Sequence, residues 1–406
     1  MCSVPIARLA VAALLFPSLP ALAGPIEIDL PAALDRAHRL SATAIAAAGA
    51  VSVAQGSVTT AELPFLENPE IEAGIGPRLS PARPLDAEAR LEQNLELGRR
   101  TPRRRLARAG VARAQAETSA AQREIDLEVT SAFYDAVFAA QSDELAQRSA
   151  EFAQRAAEAA DRRRKAGEIT DLDANLARSA SGRARAASQA THAERMTALG
   201  RLGVLVGAGP EDIVVLRGDL QPLPLPDTRA WREAAVNRPD IRALDAERAV
   251  AAAERDQAQA SALPQVSLWA SYQREDTDTV VLGGLRIALP VWNRAPGERQ
   301  AADARQRRAT ATRDAWLRAA ERQIADALAV HAAARQAVDG FEREVIPVLD
   351  DSERLLDKTI AAGQISVSDY LVARQEILNG RREYLERRLA LARAAAAARF
   401  AAGGAP

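Results

Sequence analysis

The stretch Ala166-Gly167-Glu168-Ile169-Thr170-Asp171-Leu172-Asp173-Ala174-Asn175-Leu176-Ala177-Arg178 recurs as Ala362-Gly363-Gln364-Ile365-Ser366-Val367-Ser368-Asp369-Tyr370-Leu371-Val372-Ala373-Arg374, with six identities in thirteen positions. Gly167 and Gly363 read as turn glycines. Upstream of each lies a run almost free of helix breakers: Pro102 to Ala166 holds only Gly110, and Gly297 to Ala362 only Gly340 and Pro347. At ~1.5 Å per residue each run spans roughly 100 Å as one helix. Globular helices average about 12 residues, so the design is tubular or fibrous. Pro347 should kink or break the second run, and the first has no counterpart.

Seven-residue spacing joins Phe138, Leu145 and Phe152, then Leu317, Ile324, His331, Val338 and Val345, and later Leu371, Leu378 and Leu385. This predicts coiled-coil seams, with alanine between the larger residues allowing close approach.

Ahead of each long run sits a pair of alternating segments. In the first, Ile71, Ala73 and Ile75 alternate with Glu70, Glu72 and Gly74, and after the loop Pro77 to Pro84, Ala89, Leu91, Leu95 and Leu97 interleave with Glu88, Arg90, Glu92, Asn94 and Glu96. In the second, Val266, Leu268, Ala270 and Tyr272 precede Val281, Leu285, Ile287, Leu289 and Val291. Strands of about ten residues with one apolar face fit an outer-membrane crossing. Pro69 and Pro264 are 195 apart, Pro102 and Pro296 are 194 apart, and the turn glycines are 196 apart. The chain is therefore a tandem duplication of helix, strand pair, long helix, turn and helix.

Composition narrows the function. The 406 residues carry 53 Lys and Arg against 54 Asp and Glu, which disfavours nucleic acid as a partner. One Cys, two Met and three His argue against a metal or cofactor centre built by the chain alone. No phosphate loop, nucleophile elbow or metal-binding spacing is present, so an enzyme is not expected. Met1 to Ala23 reads as a secretory signal peptide: Arg8, the apolar run Leu9 to Phe16, and the small-residue site Ala21-Leu22-Ala23. Its removal takes away Cys2. No later stretch of 18 or more apolar residues occurs, which excludes a helical span and leaves a β-barrel as the route into a membrane. Four strands cannot close a barrel, and lipid does not tolerate open edges, so several chains must contribute.

The duplicated strand pairs, paired long helices and repeated Ala-Gly-x-Ile-(Ser/Thr)-x-x-Asp-x-x-x-Ala-Arg turn resemble the TolC-type outer membrane factors over essentially the whole mature chain. Glu67-Asn68-Pro69-Glu70-Ile71-Glu72 and Leu91-Glu92-Gln93-Asn94-Leu95-Glu96-Leu97-Gly98-Arg99-Arg100 resemble the CzcC-like, heavy-metal branch. Arg99 stands where that branch has a second glycine. The resemblance implies a mostly α protein with a small membrane β-barrel part. It implies a homotrimer with a twelve-stranded barrel in outer membrane lipid and a twelve-helix periplasmic coiled-coil tunnel. Such a duct has no catalysis and no cofactor, and works with a periplasmic adaptor and an inner-membrane RND pump. The expected organisation is a signal peptide over 1–23, a first repeat over 24–205, a linker over 206–228 and a second repeat over 229–406. Strands are expected near 69–98 and 264–292, and tip turns near 166–171 and 362–367.

The resemblance places a gate of aspartates at the tip. Asp369 matches the family position, Asp171 and Asp173 occupy the equivalent turn, and Val372 and Ile365 replace a second aspartate and an arginine. Asp369 reads equally as a helix N-cap or first-turn acid. Gly167, Glu168, Ile169, Gly363, Gln364 and Ile365 are candidates for adaptor docking. On the strands, Glu70, Glu72, Glu88, Glu92 and Glu96 outnumber Arg90 and Arg286 by three, which favours cations if that face lines a lumen. A merely wettable face is the plainer alternative. His331 reads as a packed seam histidine ahead of a trimer-axis metal ligand. The run Arg99, Arg100, Arg103, Arg104, Arg105 and Arg108 reads as a solvated surface ahead of a lipid contact, and Trp292 as an interfacial anchor or a packed side chain. The leading expectation is a passive export duct for divalent heavy-metal cations. The alternatives are a duct for drugs or type I secreted polypeptides, and a soluble periplasmic coiled-coil scaffold or adaptor.

Overall fold

In the computed structural model, residues 26–77, 85–225, 231–275, 278–361 and 364–404 are described. The leader, the centre of the first strand loop and Gly363 lie outside them. The run without helix breakers forms one helix, α3 (Arg100–Lys165), of 66 residues. Its counterpart is divided into α7 (Pro296–Glu344) and α8 (Ile346–Ala361). The break at Val345 stands two residues before Pro347, whose ring and missing N–H suit the first turn of a new helix but not a helix interior. Val345, the last position of the predicted seam, therefore falls at the break and not within a continuous coil.

The remaining helices are α1 (Leu30–Leu40), α2 (Ala42–Glu62), α4 (Asp171–Leu205), α5 (Trp231–Asn237), α6 (Pro239–Ala260) and α9 (Val367–Ala401). Helices α3 and α4 pack as one antiparallel hairpin, α7 and α8 with α9 as the other, and α9 also lies against α3. The seam residues Ile324 and Val338 are buried, and Phe152 meets Tyr370 at 5.1 Å between ring centroids.

Four strands form one antiparallel sheet in the order β2 (Glu70–Pro77), β3 (Leu85–Leu95), β5 (Gln265–Glu275) and β6 (Asp278–Ala288). The two strand pairs thus meet side by side through β3 and β5. Two further strands went unrecognised in the sequence: β1 (Ile26–Ile28) and β4 (Val214–Leu216) pair in parallel. Three residues each are too few to show an alternation. They sit beside the main core, where Ile28, Val129, Phe133, Tyr134, Leu202 and Phe400 are buried together, at the middle of α3 and the C-terminal ends of α4 and α9.

The expectation that nothing after the leader could span a membrane as a helix is corrected by α2. Its 21 residues have a mean hydropathy of 1.2 over the best 18-residue window, and that window is unburied. The apolar character comes from alanine and valine diluted by Ser, Thr and Gly, so no unbroken apolar run betrays it. One edge of α2 packs on α3 and the chain passes through residues 63–69 into β2, while Ile45 and Val53 stay exposed.

Candidate functional site

The first tip turn is built from its own capping chemistry. Gly167 takes a left-handed φ of 76°, which lets Gly167 N–H donate to Arg164 O and Glu168 N–H to Arg163 O, both at 2.9 Å. Thr170 then caps α4: Asp173 N–H donates to Thr170 Oγ1 at 3.2 Å, and Thr170 Oγ1 donates to Asp173 Oδ2 at 2.8 Å. Asp171 faces Arg164 at 3.3 Å and Glu168 faces Arg163 at 3.1 Å. Ile169 packs with Ala160, Ala177 and Leu371.

At the second turn, Gln364 N–H donates to Thr359 O at 3.0 Å, repeating the same closure. Ser366 caps α9, with Asp369 N–H donating to its Oγ at 3.0 Å and Ser366 Oγ donating to Asp369 Oδ2 at 2.8 Å. Asp173 and Asp369 are thus capping acids at matched positions. Ile365 packs beside Leu356, Tyr370 and Ile377, and Val372 is 71% exposed. Residues that the sequence reading passed over hold this hairpin together. Arg374 reaches Glu353 at 2.6 Å and lies 5.1 Å over Phe152, and Arg381 reaches Asp350 at 2.5 Å and Glu353 at 3.1 Å. Arg374 belongs to the repeated motif, which was the available signal.

Farther from the tip, α3 and α4 enclose Asp143, whose side chain is 1% exposed. His192 Nδ1 lies 3.2 Å and Arg195 Nη1 3.3 Å from its Oδ2. Burial alone would raise this carboxyl, but hydrogen bonds from His192, Gln147 and Arg195 outweigh it and hold the acid below the usual carboxylate range. A groove of about 560 Å³ runs beside it between α4 and α9, lined by Leu145, Phe152, Ala184, Leu371 and Leu378 among others. His331 is half-buried, and burial together with Arg335 lowers its pKa. Among the described residues, no group of three or more His, Cys, Asp or Glu side chains is placed to hold a metal ion.

The sheet separates its side chains by register. Directly paired residues share a face. One face therefore carries Ile71, Leu91 and Ala270 in one row and Leu95, Val266 and Ile287 in another. The other face carries Glu70, Glu72, Glu88 and Glu92, joined by Asp86, Glu275 and Asp278 at the loop end. Glu96 is not part of this face: β3 ends at Leu95, and Glu96 is ion-paired with Arg103. Leu97, Leu289 and Val291 likewise fall beyond the strands.

The basic run at the start of α3 keeps a solvated side, with Arg105 67% and Arg108 60% exposed, but its guanidinium groups are also tied to neighbouring elements. Arg99 donates to Ser261 O at 3.2 Å and Leu263 O at 2.6 Å, Arg100 to Glu62 O at 3.2 Å, and Arg103 to Ala61 O at 3.3 Å and Leu63 O at 3.0 Å. Arg108 reaches Glu62 at 2.9 Å and Arg105 reaches Asp256 at 3.5 Å. The guanidinium groups of Arg99, Arg100 and Arg103 take carbonyls at and just past the ends of α2 and α6, where both helix dipoles are negative. They tie the helices to the sheet. Trp292, by contrast, is 96% exposed, so packing among the described residues of the chain is set aside.

Residues 230–404 match the family model described as outer membrane efflux protein. Among solved structures, the chain is similar to a membrane protein from Pseudomonas aeruginosa, with TM-score 0.76 and 20% identity over 99% of this chain and 98% of that one. It is similar to the Campylobacter jejuni CmeC outer membrane channel, with TM-score 0.78 and 17% identity over 93% and 86%. CusC, studied for conformational changes accompanying folding and transmembrane channel formation, gives TM-score 0.74 and 18% identity over 92% of both chains. At such identities the likeness establishes the fold. Curated proteins give no sequence match.

Proposed function

We propose, because residues 230–404 match the outer membrane efflux protein family model, that three copies close their sheets into a twelve-stranded barrel above a twelve-helix periplasmic tunnel. This trimer is the passive outer membrane duct of a tripartite RND-type system that exports divalent heavy-metal cations through a periplasmic adaptor. The observation that carries the reading is the sheet itself. It has four strands, open edges at β2 and β6, and an apolar face on which Ile71 and Ile75 are 77% exposed. Such a face needs lipid, and such edges need partners. An even strand count lets β6 of one copy meet β2 of the next antiparallel, so the ring closes without a mismatch.

Several assignments follow from this arrangement. The apolar face turns to lipid and Trp292 anchors at the interface. The acidic face lines the lumen and favours cations. The turns at Gly167 to Ile169 and Gly363 to Ile365 form the tip that meets the adaptor. Asp369, with Asp171 and Asp173 nearby, rings the closed end. Residues 1–23 address the chain to the periplasm, and 24–205 and 229–406 are its two repeats, joined by 206–228.

Deleting the gene and measuring tolerance to a panel of metals and drugs tests the substrate. Sensitivity to divalent transition metals is expected. If only drug tolerance fell, the duct would serve organic compounds. Fractionation tests the duct itself: a heat-modifiable trimer in the outer membrane is expected, and a soluble monomer would support the scaffold reading.

A further inference from the structure

The polar face of the sheet is not uniformly acidic. Near the helices, Glu92 accepts hydrogen bonds from Ser267 Oγ at 2.8 Å and Arg286 Nη1 at 2.6 Å, and Arg90 Nη2 stands 3.4 Å from its other oxygen. Arg286 reaches Glu92 across an intervening strand, because Asn94, Ser267 and Arg286 lie in one row. Trp269 lies in the next row, between Glu92 and Gly284. A Cβ at position 284 would stand 3.0–3.2 Å from the indole, so glycine is what lets the ring lie flat on β6. Arg90 in turn sits 4.8 Å from the indole centroid, held by the cation–π attraction beside Glu92.

We propose that Arg286, Glu92, Arg90 and Trp269 form a charge-balancing plate on the lumen wall, and that Arg286 sets how strongly the duct prefers cations. This rests on the reading that the polar face lines the pore. In the helix-side rows, Glu70, Glu72 and Glu92 meet Arg90 and Arg286, which leaves one net negative charge per chain. In the loop-side rows the same face carries Glu88, Asp86, Glu275 and Asp278, while Arg274 belongs to the apolar side. Rows on one face are about 7 Å apart, comparable to a Debye length of about 10 Å at 0.1 M salt. The charge that Arg286 and Arg90 cancel is therefore felt at the plate and in the neighbouring rows.

The test is the reversal potential of the purified trimer in a planar bilayer across a KCl gradient. Arg286→Gln is expected to raise the cation-to-anion permeability ratio by about twofold or more, the effect of uncovering a unit charge some 8 Å from the ion path in water-like dielectric. Arg90→Gln should act in the same direction, and Arg286→Lys should leave the ratio near the starting value. The difference between Arg286→Gln and the parent should collapse at about 1 M salt, where screening shortens to ~3 Å. A ratio unchanged in both glutamine variants overturns the plate. The lumen reading is checked separately with Ser271→Cys on the polar face and Ala270→Cys on the apolar face. A membrane-impermeant charged thiol reagent should reduce conductance only in the first. Block through Ala270→Cys alone would overturn both the lumen reading and the plate that depends on it.

Discussion

The two halves of the duplication spend the same backbone plan differently. Gly207 and Gly403, again 196 apart, both take left-handed φ, 67° and 76°, just past the ends of α4 and α9. In the first half the end of α4 is met by Arg36, which donates to Val206 O at 3.3 Å. In the second, Arg238 is 2% exposed, bonds Asp240 with both ends of its fork (3.0 and 2.6 Å), and reaches Gln323 Oε1 and Ala401 O. The contrast reverses along the hairpins. Asp143 is buried against His192 and Arg195, whereas the side chain of its counterpart Asp339 is half-exposed and faces Arg335 on its own helix, at 3.1 Å. At the tips, the first turn holds two ion pairs that the second lacks, because Gln364 and Val367 replace Glu168 and Asp171. Duplication preserved what the backbone requires, the turn glycine and the cap, while side-chain ties drifted.

Substitution at Arg238 puts the greatest strain on this contrast. Arg238→Met leaves Asp240 to the more distant Arg123, 3.9 Å away, frees the α9 carbonyl, and should cost about 3 kcal/mol. Arg36→Met, which loses one long bond, should cost about 1 kcal/mol. Thermal unfolding followed by circular dichroism in detergent measures both, and equal losses would erase the asymmetry.

Asp143 should give a smaller, pH-dependent effect. Its folded pKa is depressed, so its contribution is present above the ordinary carboxylate value of about 4 and is lost as pH falls through the lower folded value. The melting temperature of the parent should therefore fall more steeply below about pH 4 than that of Asp143→Asn, whereas Asp339→Asn should track the parent.

The shared caps should behave alike. Thr170→Ala and Ser366→Ala should each cost about 1 kcal/mol, read as matched shifts in the same melt. Arg164→Gln removes an exposed tip pair and should cost about 0.5 kcal/mol or less. A larger loss there would mean that the first tip depends on its ion pairs and not on its cap.

Much of the plan was legible in the chain. Glycines and prolines at fixed offsets mark where a backbone must turn or a helix must restart, and both constraints are local. Strand alternation could be read from β2, β3, β5 and β6, but not from three-residue β1 and β4. The basic run at Arg99 to Arg108 was visible as charge, yet Arg99, Arg100 and Arg103 are partnered by carbonyls at the ends of α2 and α6. Backbone carbonyls have no letter in a sequence. Glu96 looked like another strand acid because period two continues past Leu95, and only the arrival of Arg103 on the first turn of α3 shows where the strand stops.

By itself, the sequence determined the duplication, the long helices, the break before Pro347 and the amphipathic strands, because each follows from local stereochemistry and periodic burial. Only the tertiary structure decided that the two strand pairs join through β3 and β5. It also decided that Glu92 is shared by Arg90 and Arg286, that Asp143 is buried while Asp339 is not, and that Arg238 seals the end of α9. Those outcomes depend on which groups meet across about 50 to 200 positions of chain, and desolvation and ion pairing are fixed by that meeting more than by neighbours in sequence.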